Sequence, residues 1–266
     1  VKSSQYHILA ALFFLIIGCS EEEIDTSNNS PNVSLQPEIT VFEDFTLVKE
    51  YPHDPTAFTQ GLVMYQDRLF EGTGRESWVA EVDIATGYHN KKLMLPDPLF
   101  GEGITILDNK LYQLTWKNKV GFVYDLDTFQ KIEEFHYDHE GWGITTDGTN
   151  LIVSDGTDKL YFYSPTPFRL LEVRPVTFKG EPVKYINELE YLQGLIYANQ
   201  WKSDVILKID PKTAEVVTIL DLSPLADKIY AEYPGADSMN GIAYDQFDSA
   251  FLMTGKLWPK LFKVRF

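Results

Sequence analysis

Five short segments of this chain align at a near-constant spacing, and that repeat constrains the fold more than any other feature of the sequence. They are Thr59-Gln60-Gly61-Leu62, Gly101-Glu102-Gly103-Ile104, Gly141-Trp142-Gly143-Ile144, Ile186-Asn187-Glu188-Leu189 and Met239-Asn240-Gly241-Ile242. The equivalent positions are Gly61, Gly103, Gly143, Glu188 and Gly241, so the steps are 42, 40, 45 and 53 residues. A period near forty suits propeller blades of four strands each. Inside each unit a second strand follows a tight turn, as in Arg68-Leu69-Phe70, Lys110-Leu111-Tyr112, Asn150-Leu151-Ile152, Leu195-Ile196-Tyr197 and Ala250-Phe251-Leu252. A third strand is read at residues 79–84, 121–126, 159–163, 205–209 and 261–264, and a fourth at, for example, 91–95 and 131–135. The fifth unit runs out at Phe266 after its third strand, so residues 45–51 are expected to supply the missing one and remove a free edge. The expectation is an all-β, five-bladed β-propeller whose ring is closed by an N-terminal strand. A β-sandwich would not generate a fivefold repeat, and no helical pattern of about 10–15 residues is visible.

In a propeller the innermost strands line the central channel, so the aligned segments should converge at one mouth. The residues just before the aligned positions are Gln60, Glu102, Trp142, Asn187 and Asn240. Four polar groups and an indole exceed what an ordinary core tolerates, although any one of them could simply hold channel water. Trp116 and Trp201 each lie fourteen residues after a ring member, at the end of a second strand, and Phe58 and Phe100 each precede one by two. Singly these aromatics could be blade-to-blade packing; together they describe an apolar cup around a few polar groups, the anatomy of a small-ligand site. Lys256 shares its place in the repeat with Trp116 and Trp201 and should reach the same rim.

Ahead of the repeat, Lys2 precedes an apolar run over residues 8–17 that ends at Gly18-Cys19, which reads as an export signal too short to span a bilayer. The segment Leu15-Ile16-Ile17-Gly18-Cys19 resembles the lipobox of bacterial lipoproteins, which implies lipidation of Cys19, the chain's one cysteine. Intrachain disulfides and cysteine-based zinc sites are thereby excluded. Residues 20–38 are acidic and Asn/Ser-rich with Pro31 and Pro37, the composition of a tether. The expected organisation is a signal peptide at 1–18, a disordered tether at 19–40 and a catalytic propeller at 41–266, in an exported, lipid-anchored cell-envelope protein. The net charge of −16 repels phosphate backbones and argues against nucleic-acid binding. The five histidines, His7, His53, His89, His136 and His139, show no metal-ligand spacing.

Seven motifs, in order, resemble the plant and bacterial glutaminyl cyclases, also called glutamine cyclotransferases. They are Phe58-Thr59-Gln60-Gly61-Leu62, Phe100-Gly101-Glu102-Gly103, Leu114-Thr115-Trp116, Glu140-Gly141-Trp142-Gly143, Asn187-Glu188-Leu189-Glu190, Asn199-Gln200-Trp201 and Gly255-Lys256-Leu257-Trp258-Pro259-Lys260. The likeness runs from about Phe45 to Phe266 and implies a five-bladed fold that closes N-terminal glutamine of peptides or proteins into pyroglutamate with release of ammonia. It further implies an acid/base carboxylate at Glu102 with Asn187 and Lys256 as polar partners, and a pocket of Gln60, Phe58, Phe100, Trp116, Trp142 and Trp201. These residue types suit the chemistry. The substrate's α-amine attacks its own γ-carboxamide, one carboxylate can carry the proton, and the Asn187 amide and Lys256 ammonium can face the oxyanion. No cofactor is required on this reading, a structural calcium has room in the channel, and a monomer is expected. The alternatives are a calcium-dependent lactonase-like propeller, using oxygens of Glu102, Asn187 and Asn240, and a non-catalytic peptide-binding propeller.

Overall fold

In the computed structural model, which describes residues 44–266, the repeat becomes five antiparallel sheets in chain order. Blade 1 is built of Thr59–Tyr65, Arg68–Thr73, Trp78–Val82 and His89–Met94, and blade 2 of Gly101–Leu107, Lys110–Thr115, Val120–Asp125 and Lys131–His136. Blade 3 comprises Ile144–Thr146, Leu151–Ser154, Lys159–Pro165 and Phe168–Pro175. Blade 4 comprises Ile186–Leu192, Leu195–Gln200, Val205–Asp210 and Glu215–Asp221, and blade 5 Met239–Asp245, Ala250–Gly255 and Lys260–Arg265. The strand Thr46–Pro52 lies antiparallel on the last of these, with Thr46 opposite Arg265 and Pro52 opposite Lys260.

Two elements depart from the expected pattern. A ten-residue α-helix, Ser223–Glu232, occupies the long step between blades 4 and 5, where no helix was expected from the sequence. It buries Leu225, Ala226 and Ile229, one turn's worth of apolar stripe, against the cluster that also holds Leu220, Met239 and Trp258. Blade 4 also carries a two-residue hairpin, Thr177–Phe178 and Glu181–Pro182, whose first strand pairs parallel with Glu215 of the outer strand.

The apolar side chains of each blade meet those of the next. Ile104, Val79 and Phe122 pack between blades 1 and 2, Leu114, Ile144 and Val153 between 2 and 3, and Ile152, Ile196 and Leu207 between 3 and 4. Leu62, Ala243 and Leu252 pack between 5 and 1. The repeated glycines explain how the innermost strands come so close. A Cβ on Gly61 would lie 2.5 Å from the backbone nitrogen of Ile104, one on Gly103 2.7 Å from the Trp142 carbonyl, and one on Gly143 2.1 Å from the Asn187 carbonyl. Backbone therefore packs on backbone around the channel, and Gly103 N–H donates to Trp142 O across the blade boundary at 2.8 Å. Glu188 replaces glycine in blade 4 because its side chain spans the channel instead. Its two carboxylate oxygens accept the Leu62 and Ile242 backbone N–H groups of blades 1 and 5, at 3.2 and 2.9 Å.

Candidate active site

The convergence expected at one mouth is realised as a cavity of about 270 Å³ lined by Phe58, Gln60, Phe100, Glu102, Trp116, Trp142, Asn187, Trp201 and Lys256, with Arg75 and Asp237. That is just below the usual range for ligand sites, roughly 300–1,000 Å³, and suits a ligand of about one residue. All nine catalytic and pocket residues expected from the sequence are on its wall. Cys19 lies outside the described residues.

The aromatic wall is continuous. Phe58 meets Phe100 edge-on with centroids 6.3 Å apart, and Phe100 meets Trp116 at 5.6 Å. On the far side Trp142 and Trp201 make a T-shaped contact at 5.5 Å. Glu140 joins the two halves: its Oε2 accepts the indole N–H of Trp116 at 2.6 Å and that of Trp142 at 3.0 Å. Two indoles that share one carboxylate oxygen cannot turn independently, so the cup has a fixed shape. Glycines make room for the rings; a Cβ on Gly74 would sit 2.2 Å from the Phe100 ring.

Glu102 lies at the base, 4% exposed, on the first strand of blade 2. Burial pushes its carboxyl well above the usual range, the charge of Lys256 works against that, and Glu140 adds to it. Lys256, 6% exposed, is displaced the opposite way, its ammonium lowered by burial while Glu102 and Asp237 oppose the shift. The lysine Nζ sits 5.0 Å from the Phe58 ring centroid. Its backbone is clamped by Asp237 N–H to Lys256 O at 2.8 Å and Lys256 N–H to Ser238 O at 3.0 Å. Behind this turn the buried His53 donates Nδ1–H to Trp258 O at 2.6 Å and faces Glu71 with Nε2 at 3.1 Å. Glu71 also accepts the Thr59 hydroxyl at 2.7 Å, so one buried network ties the segment of Phe58 and Gln60 to that of Lys256.

Asn187, 2% exposed, lines the cavity wall, and its Oδ1 is a buried acceptor with no hydrogen-bond partner among the described residues. Asn240, though buried in the ring of inner strands, does not line the cavity. Its Nδ2 donates to Thr59 O at 3.1 Å and to Gln60 Oε1 at 3.3 Å, so it holds blade 1 and orients Gln60. The oxygen set of the lactonase-like alternative is therefore not assembled on one wall.

A family model described as glutamine cyclotransferase matches residues 17–266 of this chain. The chain belongs to the glutamine cyclotransferase family. It is 40% identical over 227 residues to the glutaminyl-peptide cyclotransferase of Arabidopsis thaliana, covering 84% of this chain and 71% of that protein. The crystal structure of the Myxococcus xanthus glutaminyl cyclase superposes with a TM-score of 0.81 at 38% identity, over 85% of this chain and 97% of that one.

Three residues of the site escaped sequence reasoning. Glu140 stands two residues before Trp142, the place that Phe58 and Phe100 hold before Gln60 and Glu102, so the register of the repeat pointed to it. Arg75 follows Gly74, whose N–H donates to Phe58 O just as Trp116 N–H donates to Phe100 O; the same register reaches it. Asp237 lies in the long step before blade 5, where the repeat offers no register.

Proposed function

We propose that this chain is a glutaminyl-peptide cyclotransferase that converts N-terminal glutamine of peptides or proteins to pyroglutamate, and that Glu102, Asn187 and Lys256 carry the chemistry. The observation that supports this most is a desolvated carboxyl and a desolvated ammonium facing one residue-sized aromatic cavity, in a member of this family. The α-amine and the γ-carboxamide belong to one residue, so a cup that folds the side chain back brings nitrogen and carbon together, an advantage worth up to about 7–11 kcal/mol in well-oriented intramolecular reactions.

In this mechanism the neutral α-amine attacks the carbonyl carbon of the γ-carboxamide (Cδ), forming the ring C–N bond and placing negative charge on the amide oxygen. Lys256 donates to that oxygen. The raised Glu102 carboxyl gives its proton to the amide nitrogen as the old C–N bond breaks. It recovers one from the attacking amine, so ammonia leaves and the carboxyl is restored. The opposed shifts of Glu102 and Lys256 bring their proton affinities together, which suits a group that must both give and take. The side-chain amide N–H of Asn187 would donate to the same amide oxygen as Lys256, fixing the amide plane. Phe58, Gln60, Phe100, Trp116, Trp142 and Trp201 would shape the cup and keep water out.

Export with a lipid anchor at Cys19, and a monomeric state, belong to the same proposal and rest on the sequence alone. Ammonia release from a Gln-initiated dipeptide by the purified protein is the direct test. Glu102→Gln keeps shape but removes the proton, and turnover should fall by about 10²–10⁴ with the melting temperature nearly unchanged; a variant keeping more than a tenth of the rate clears Glu102 of the role. Dialysis against a chelator should leave turnover intact, whereas a calcium-dependent propeller enzyme would lose it.

A further inference from the structure

Arg75 stands at the cavity mouth with its side chain 56% exposed, and three observations single it out. First, its backbone is left-handed, φ 58°, a conformation that L side chains adopt at a cost. The equivalent residues of blades 4 and 5, one past Trp201 and one past Gly255-Lys256, are left-handed as well, Lys202 with φ 67° and Leu257 with φ 60°, so this turn fixes where the side chain leaves the rim. Blade 1 carries a long cationic side chain there beside Gly74, which brings no indole of its own to the wall, unlike Trp116 and Trp201. Second, the guanidinium is pinned against the wall, its Cζ 3.9 Å from the Phe58 centroid. Third, among the described residues its polar partner is Asp237 Oδ2 at 3.8 Å, beyond hydrogen-bond length, while Asp237 Oδ1 is occupied by the Ser238 N–H at 2.6 Å. A held guanidinium with unfilled donors matches a planar carboxylate, which can accept two parallel N–H bonds.

The direction of the substrate chain places a ligand there. With the glutamine side chain folded into the cup over Glu102, the only exit for the following residue is the mouth, and Arg75 is on its wall. The neighbouring rim is cationic as well, although the chain carries a net charge of −16. Lys117 Nζ lies 3.9 Å from the Trp116 centroid and Lys202 Nζ 4.4 Å from that of Trp201, each one residue beyond its indole.

We propose that Arg75 is the receptor for a carboxylate on the residue that follows the N-terminal glutamine, so that this protein favours acidic substrates. The inference rests on the cyclotransferase reading and names its second subsite. The carboxylate has two sources, an Asp or Glu side chain at the second position or the free C-terminus of a dipeptide.

The test is kcat/KM for ammonia release by the full chain from Gln-Ala amide, Gln-Ala free acid, Gln-Glu amide and Gln-Lys amide. Wild type should favour a carboxylate-bearing substrate over Gln-Lys amide by about five- to tenfold, the worth of a part-exposed charge-assisted pair, and the preference should shrink with salt. A gain on Gln-Glu amide assigns the side chain; a gain on the free acid assigns the terminus. Arg75→Gln should bring the ratio near unity mainly through KM, and Arg75→Glu should invert it, with thermal melts showing both folded. Absence of preference in wild type overturns the proposal. So does an equal loss on all four substrates in Arg75→Gln, which would mean that Arg75 reads the peptide backbone or props the wall. No ammonia from any substrate with wild type would instead sink the cyclotransferase reading, and the subsite with it.

Discussion

At the scale of single residues the site is governed by desolvation. Glu102 and Lys256 are ordinary residue types made reactive by an aromatic enclosure that withholds water from their charged forms, raising one proton affinity and lowering the other. If Lys256 stabilises the oxyanion, its contact strengthens only as charge develops. Lys256→Met should then lower kcat and kcat/KM together by about 10²–10³ with KM near wild type. Methionine keeps most of the stem against Phe58, so melts should stay close to wild type. A raised KM with intact kcat in steady-state assays would reduce Lys256 to a substrate clamp. The nine cavity residues were legible because inner-strand polar groups and end-of-strand aromatics recur in register. Arg75 was missed because Gly74, not an aromatic, holds the place of Trp116 and Trp201 in blade 1, so the register that reaches Arg75 carried no visible marker there. Glu140 was within reach of the register but breaks its aromatic pattern, and its role shows only in the two indole N–H groups on one oxygen.

At the scale of elements, the innermost strands bear the geometric strain. Gly143 donates its N–H to Ser154 Oγ at 2.8 Å, and that hydroxyl donates to Asn187 O at 2.6 Å, the same carbonyl that a Cβ on Gly143 would strike. Gly143→Ala should therefore push the Asn187 strand outward, costing about 1–3 kcal/mol of stability by overpacking and lowering turnover through Asn187. Gly235→Ala, with open space around its Cβ, should do neither. Equal melts and rates for the two variants would show that the inner strands have slack. The third strands, and the fourth strands bounded in blades 1 and 2, were legible to within two residues of their ends, since alternation and turn signals recur. The second strands run about three residues beyond the segments read for most blades. The helix Ser223–Glu232 was not. Its buried residues, Leu225, Ala226 and Ile229, cover scarcely more than one turn, and its stability comes from docking on Trp258 and Met239 rather than from its own pattern. The hairpin at Thr177–Phe178 and Glu181–Pro182 is too short to leave an alternation at all.

At the scale of the whole molecule, the channel holds carboxyls that connect the blades, and this gives folding a pH dependence. Glu188 links blade 4 to blades 1 and 5 and is pushed well above the usual carboxylate range by burial. Glu190 accepts the Tyr244 N–H of blade 5 at 3.0 Å and is pushed up by burial to about 8, against 4.5 for a free side chain. Between those two values the folded protein holds a proton at Glu190 that the unfolded chain has released. Stability changes with pH as the protons bound in the unfolded state minus those in the folded state, a negative difference here, so each such group lowers stability as pH rises from about 4.5 to about 8, by at most ~1.4 kcal/mol per unit. The contribution is fully present below the lower value and is lost by the upper one. Glu190→Gln keeps an oxygen for the Tyr244 N–H and removes the titration. Its melting temperature should match wild type near pH 5 and exceed it at pH 8, with a shallower decline between. Glu188 offers no equally clean variant, because both its oxygens accept backbone N–H groups and glutamine can supply one acceptor only. Melts of Glu190→Gln and wild type taken from pH 5 to 8 that stay parallel would mean that Glu190 titrates in the channel as it does in water, and that blades 4 and 5 are joined there through an ionised carboxylate on the Tyr244 N–H.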